Sequence, residues 1–125
     1  IIRMILVSAC LLGENCRYDG GHVFKKELEV LLKGREYKAI CPEVAGGLTV
    51  PRSPSEIKGG TGQSVLEGDA SVYTQKGEDV TNFFVNGAEK VLKGIELKDI
   101  KLAILKSRSP SCGVHQIYNG EFNGQ

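Results

Sequence analysis

The chain has 125 residues, 41% of them hydrophobic and 25% charged, and 16 Lys+Arg against 15 Asp+Glu leave a formal charge of +1, the make-up of one ordinary globular domain spanning residues 1–125. A chain of this size buries roughly two thirds of its unfolded surface and holds together without disulfides, so its four cysteines are free for other work, and we expect them in a reducing cytoplasm as thiols or metal ligands. Balanced charge without basic–aromatic runs argues against nucleic acid as a bulk ligand; the apolar stretch Met4–Leu12 is far short of the ~20 residues that span a bilayer, and the N-terminus does not read as a signal peptide.

Ile5–Ala9 is a short apolar run without alternation, the pattern of a strand buried on both faces. The segment Leu11–Gly21 has loop composition, after which Val23, Leu28, Leu31 and Leu32 recur at helical spacing until Gly34 stops the helix. Tyr37–Ile40 is a second strand, ended by Pro42, which cannot donate to a ladder. A helix between the two strands makes the pair parallel. Ala45–Gly62 is rich in Gly, Pro and Ser and reads as a long irregular loop. Ser64–Leu66 and Ser71–Tyr73 around Gly68-Asp69 suggest a hairpin. Asp79 and Thr81 offer N-caps for a helix through Phe83, Phe84, Ala88, Val91 and Leu92, closed by Gly94. Leu102–Leu105 is a further apolar strand, followed by the polar loop Lys106–Gly113, and Val114–Tyr118 with Phe122 around Asn119-Gly120 suggest a last hairpin. Together these elements predict a three-layer, Rossmann-like α/β domain with a mainly parallel sheet and no internal repeat.

Cys10 follows the first strand, Cys41 the second, and Cys112 sits in the loop after the strand ending at Leu105. In an open parallel sheet those C-terminal strand ends share one edge, outside which ligands bind. Three thiolates converging there suggest a soft-metal site. Each cysteine alone is as well explained as a small buried hydrophobe; three at matching positions are not. Cys16, in the polar loop Glu14–Arg17, reads as incidental. A zinc site with one open position and an iron–sulfur cluster with one iron free of protein ligands both remain open on chemistry alone. Glu43, two residues past Cys41, is placed for acid–base work beside a metal, with Ser109 and Ser111 before Cys112. Arg17, Arg52 and Arg108 are candidates to orient an anionic or carbonyl-bearing ligand. His22 and His115 lack ligand spacing and read as structural, at the entrance to the first helix and in a strand. Gly46-Gly47 and Gly59-Gly60 permit tight turns near a ligand but form no nucleotide fingerprint.

Three blocks carry a family resemblance: Val7-Ser8-Ala9-Cys10-Leu11-Leu12-Gly13 with Arg17-Tyr18-Asp19-Gly20; Cys41-Pro42-Glu43-Val44-Ala45-Gly46-Gly47-Leu48 with Pro51-Arg52; and Lys106-Ser107-Arg108-Ser109-Pro110-Ser111-Cys112-Gly113. Over nearly the whole chain the sequence resembles small bacterial proteins long filed as a domain of unknown function, whose characterised members are thiouracil desulfidases. The resemblance implies a 4Fe-4S cluster held by Cys10, Cys41 and Cys112, a catalytic Glu at Glu43 and a catalytic Ser at Ser109. It also implies a redox-neutral, hydrolytic desulfuration of a small thiocarbonyl such as a thiolated pyrimidine, in which an open iron takes the sulfur, an activated water attacks the carbon, and the products are the carbonyl compound and sulfide. Met4 is the expected natural start, and relatives of this kind continue past the position of Gln125 with a short Gly-containing segment, so the C-terminus is expected to be truncated or disordered. Two rivals stand beside this enzyme. A non-catalytic iron–sulfur or zinc module would need the three cysteines but neither Glu43 nor Ser109. A thiol redox protein using Cys10 and Cys16 would need a lowered thiolate pKa and a resolving partner.

Overall fold

A computed structural model describes residues 4–22, 24–114 and 116–125; the expectations for Val23 and His115 lie outside these. Strand β1 (Met4–Ser8) forms the middle of a parallel sheet, with β2 (Tyr37–Ile40) on one side and β5 (Ile100–Ile104) on the other. The register runs Ile5↔Tyr37 to Ser8↔Ile40 and Ile5↔Leu102 to Val7↔Ile104, with an irregularity between Met4 and Ile5. In β1 Ile5, Val7 and Ser8 are buried, Val7 completely, whereas Met4 and Leu6 are only partly covered, so the strand is less enclosed than its unbroken apolar run predicts. Helix α1 (Lys26–Leu32) closes the sheet side of the core, turning Leu28 and Leu32 onto Ile5, Val7 and Leu11. The apolar strand β5 departs from the doubly buried pattern: Leu102 is 48% exposed, because β5 is paired only to β1 and lies at the sheet edge.

Between β2 and β5 the chain makes a long excursion through α2 (Pro42–Ala45), β3 (Ser55–Lys58), α3 (Gly62–Leu66), β4 (Ser71–Thr74) and α4 (Thr81–Lys93). The long loop expected over 45–62 therefore contains a strand. Strand β3 carries one strong apolar residue, Ile57, so its alternation is invisible in the sequence. Its antiparallel partner is β4, with Ser55↔Thr74 to Lys58↔Ser71 in register. The hairpin expected around Gly68-Asp69 is thus wrong in its first arm. Ser64–Leu66 belongs to α3, whose start is fixed by a reciprocal cap in which Thr61 and Ser64 each accept the other's backbone N–H. Val65 is buried and Leu66 is exposed, a helical division rather than a strand's.

Helix α4 starts at Thr81, but its N-cap is Val80 rather than the expected Asp79 or Thr81, and no side chain caps it. Asp79 Oδ1 accepts Thr81 N–H at 2.9 Å and the Thr81 hydroxyl at 2.6 Å, while Thr81 Oγ1 accepts Val72 N–H at 2.9 Å, tying the helix start to β4. Phe84 and Val80 join Ile57, Val65, Ala70 and Val72 in a second core cluster. Helices α2 and α4 touch backbone to backbone. A Cβ at Gly46 would run into Phe83 O, and one at Gly87 into Pro42 O. Gly46 therefore serves helix packing, not a turn at a ligand. The expected last hairpin is absent from the described residues. Ile117 makes one parallel bridge to Arg108, and Gly120 is packed against β3, where a Cβ would lie 2.7 Å from Ile57 O. No helix among the described residues is long and apolar enough to cross a membrane.

Candidate functional site

The strand order β2-β1-β5 sends the chain from β1 to one side and later to the other, so a crevice opens beyond the C-terminal end of β1. All three strand ends feed it. Beyond β1 a 3-10 turn, Ala9–Leu12, buries Cys10 and is closed by Gly13 at φ 91°. Cys41 caps α2, where Pro42 takes the first helical position. The loop after β5 returns to the crevice because Lys106 N–H bonds Ser8 Oγ at 2.9 Å. Within it Ser109 Oγ accepts Ser111 N–H at 3.2 Å and Cys112 N–H at 3.1 Å. Gly113 N–H reaches Ser109 O at 2.8 Å, and a Cβ on Gly113 would stand 2.6 Å from Gln116 O, so this tight return requires glycine. Cys10, Cys41, Cys112, Glu43, Ser109 and Ser111 all line one cavity of about 360 Å³.

All four cysteines are free thiols. Burial pushes the Cys10 thiol up, and Cys112 and Cys41 push it further, while Lys106 and Arg17 pull the other way. Burial also raises Cys112; hydrogen bonds from the Ser8 and Ser111 hydroxyls pull it down, and Glu43 and Cys41 push it up. The Cys10 and Cys112 thiols are thus raised by burial and by neighbouring charge, and a bound cation would favour their thiolate forms. No trio of His, Cys, Asp or Glu side chains among the described residues has the spacing to grip a single metal ion. Thiolate donors spread around a cavity fit a group with several metal corners better than a lone zinc.

Glu43 is held from two sides. Its Oε1 accepts Arg52 Nη2 at 3.3 Å and Nε at 3.4 Å, in an ion pair whose side chains are only 7% and 13% exposed. Its Oε2 accepts the Ser111 hydroxyl at 2.8 Å. The Ser109 and Ser111 hydroxyls lie 3.1 Å apart. With the Ser111 proton on Glu43, the Ser109 hydroxyl supplies the one between them, which gives a directed chain from Ser109 through Ser111 to Glu43. Ser111 also lies 3.8 Å from Cys112 Sγ. Ser111 is the joint of this network, whereas the resemblance pointed only to Ser109; its spacing from Cys112 was visible in the sequence, its reach to Glu43 was not.

Arg52, Arg17 and Arg108 all line the cavity. The Arg52 guanidinium donates to Thr49 O at 3.1 Å and Cys16 O at 2.9 Å as well as to Glu43, so its donors are engaged chiefly with the protein. Arg17 lies beside Asp19 at 3.8 Å and Arg108 is turned toward Gln116 Oε1 at 3.4 Å. His22 stays at the entrance to α1, its Nδ1 accepting Phe24 N–H. Cys16 is less detached than its loop suggests. It lines the same cavity, its carbonyl accepts the Cys41 thiol at 3.8 Å, and burial beside Cys41 and Cys10 raises its own thiol to about 12. A thiol raised this far is a poor nucleophile at neutral pH, which weighs against the redox pair Cys10–Cys16. The sequence offered no signal for Lys106, Glu56, Tyr118 and Phe122, which also line the cavity; lone polar and aromatic residues acquire such roles only through the fold.

A family model described as 2-thiouracil desulfurase matches residues 5–125. The chain is 46% identical over 122 residues, 98% of its length and 81% of the relative's, to a Bacillus subtilis (strain 168) protein named "Uncharacterized protein YbbK". Among solved structures it is similar to TudS, described as a 4Fe-4S-dependent thiouracil desulfidase, with a TM-score of 0.78 and 44% identity over 98% of this chain and 76% of that one. The mixed α/β fold with its mainly parallel sheet is the fold of that neighbour, and with the match running over nearly its full length the chain belongs to the 2-thiouracil desulfurase family.

Proposed function

We propose that the protein is a redox-neutral desulfidase of small thiocarbonyl compounds, with thiouracil-like pyrimidines as the substrate class and a 4Fe-4S cluster as cofactor. One observation carries this reading: the Ser109–Ser111–Glu43 hydrogen-bonded chain opens on the same cavity as the three cysteines at the strand ends. Cys10, Cys41 and Cys112 would hold the cluster. Bound there, it supplies an iron with an open position, a Lewis acid soft enough to polarise a C=S bond.

The remaining chemistry belongs to the chain. Glu43 takes a proton from the attacking water as a new C–O bond forms. Its two-point hold by Arg52 and Ser111 fixes the carboxylate without thermal search. The Ser111 and Ser109 hydroxyls then turn about, so that protonated Glu43 donates to Ser111, Ser111 to Ser109, and Ser109 delivers a proton to the ring nitrogen or the departing sulfur. The balance is one thiocarbonyl and one water to one carbonyl and one hydrogen sulfide, with no electron exchanged. Arg17 and Arg108 line the entrance and orient the polar edge of the ring. We place the protein in a reducing cytoplasm, where four free cysteines persist. Its partner is a small molecule, and we propose no role for nucleic acid or membrane.

The test is anaerobic reconstitution of the wild type, Glu43→Gln and Ser109→Ala, followed by visible absorption and by sulfide release from 2- and 4-thiouracil. All three proteins should show the cluster's absorption, and only the wild type should release sulfide at full rate. A wild type that takes up the cluster but releases no sulfide from any thiopyrimidine refutes the substrate class and leaves a cluster-binding module. Full activity in Glu43→Gln refutes the acid–base assignment.

A further inference from the structure

Glu56 is buried to 8% exposure on β3 beside Ile57, and a Glu is almost never buried this deeply without a partner. Its partner is not a cation. The ion pairs among the described residues are Arg17–Asp19 and Arg52–Glu43. Glu56 Oε1 instead accepts two backbone donors from a distant segment, Gly120 N–H at 2.9 Å and Phe122 N–H at 3.3 Å. The segment is shaped for this contact. Gly120 has φ 90° and lies so close to β3 that no side chain fits. Phe122 takes the left-handed conformation at φ 55°, and the turn between them is closed by Glu121 N–H on Asn119 Oδ1 at 2.9 Å. The same segment puts Tyr118 and Phe122 on the wall of the cavity that the strand-end cysteines also line.

We propose that Glu56 is a positioning residue whose carboxylate ties residues 118–122 to β3, so that Tyr118 and Phe122 form the face on which a flat heteroaromatic ring is bound. Aromatic faces stack on planar rings, so the wall selects ring thiocarbonyls over open-chain ones. The inference rests on the desulfidase reading for its substrate, while the tether is a property of the protein alone. Because the role is to accept two N–H groups, an amide oxygen can replace it and a methyl group cannot.

Three proteins test this: wild type, Glu56→Gln and Glu56→Ala. Backbone hydrogen exchange at Gly120 and Phe122 should speed up at least about tenfold in Glu56→Ala, the change that follows from losing roughly one charge-assisted hydrogen bond, and stay near wild type in Glu56→Gln. KM for a thiopyrimidine should rise about tenfold in Glu56→Ala with kcat and cluster absorption unchanged, and Glu56→Gln should restore it. Unchanged exchange at both amides overturns the tether. A Glu56→Gln variant as impaired as Glu56→Ala, or a loss confined to kcat, overturns the positioning role. If the wild type desulfurates nothing, the exchange result still stands or falls by itself and the desulfidase reading alone has failed.

Discussion

The two core clusters hold different parts of the site by different means. On the sheet side, Ile5, Val7, Leu11, Leu28 and Leu32 pack around β1; Cys10 and Cys41 follow directly on β1 and β2, and Cys112 is carried by the loop after β5 that Ser8 and Ser109 hold. The first two positions follow from backbone register. On the hairpin side, Ile57, Val65, Ala70, Val72, Val80 and Phe84 pack under α4, and the polar groups are placed at second hand. Glu43 sits on α2, which rests on α4 through the contact of Gly46 with Gly87, and the aromatic wall hangs from Glu56. The lesson is that Cys10 rests on the sheet alone, whereas Cys41 begins the helix that carries Glu43 and Cys112 shares its loop with Ser109 and Ser111, so the two supports meet in α2 and in that loop.

The sharpest way to break the comparison is at the thiols. Cys10→Ser, Cys41→Ser and Cys112→Ser should each abolish cluster uptake, since a hydroxyl is a hard and feeble substitute for a thiolate, whereas Cys16→Ser should retain it; iron and sulfide analysis after anaerobic reconstitution reads both outcomes. Next comes the relay. Ser111→Ala should keep the cluster and lower kcat by about 10²-fold, the lower range for a lost proton-transfer group, with Ser111→Thr recovering most of it because its hydroxyl can still bridge Ser109 and Glu43. Equal kcat in Ser111→Ala would sever the chain at its joint.

A substitution at the α2–α4 contact tests whether support travels. Gly87→Ala forces a methyl group toward Pro42 O. It should cost about 1–3 kcal/mol in denaturant unfolding of the apo protein and lower both kcat and cluster uptake, because Glu43 lies on α2 and Cys41 caps it. The smallest effect is expected at Asp79. Its hydrogen bonds with the Thr81 hydroxyl and N–H hold the carboxyl below its ordinary value of 3.8. A depressed carboxyl adds stability that is complete above its unfolded value and drains away as the pH falls through its folded one. Asp79→Ala should therefore melt slightly below wild type at pH 7, and the gap should close as the pH drops below about 3.8.

The sheet side was the legible side. Short apolar runs marked β1 and β5, Pro42 marked the end of β2, Gly34 marked the stop after α1, and the rule that ligands gather at strand ends pointed three distant cysteines to the one cavity they line. The hairpin side was hidden because its signals are composite. Ile57 alone does not make a strand pattern, and the Thr61–Ser64 cap looks like strand flanking until the helix is seen. Arg52 was legible only as a candidate to orient a ligand because an arginine's partners are set by tertiary structure. Its engagement with Glu43 and with the Cys16 carbonyl depends on three segments meeting, and nothing in their spacing encodes that. Glu56 escaped notice for the same reason, since its donors come from the other end of the chain.

The central position of β1 also fixes an order of events. Its two neighbours are the strand that follows the first helix and the strand that follows the whole excursion, so the last thiol, Cys112, arrives only when β5 has docked. Long-range pairing of this kind is the slow part of folding. In a chain made from its N-terminus, Cys10 and Cys41 and their strands are present before β5 and Cys112, so the edge that gathers all three is complete only in the finished fold.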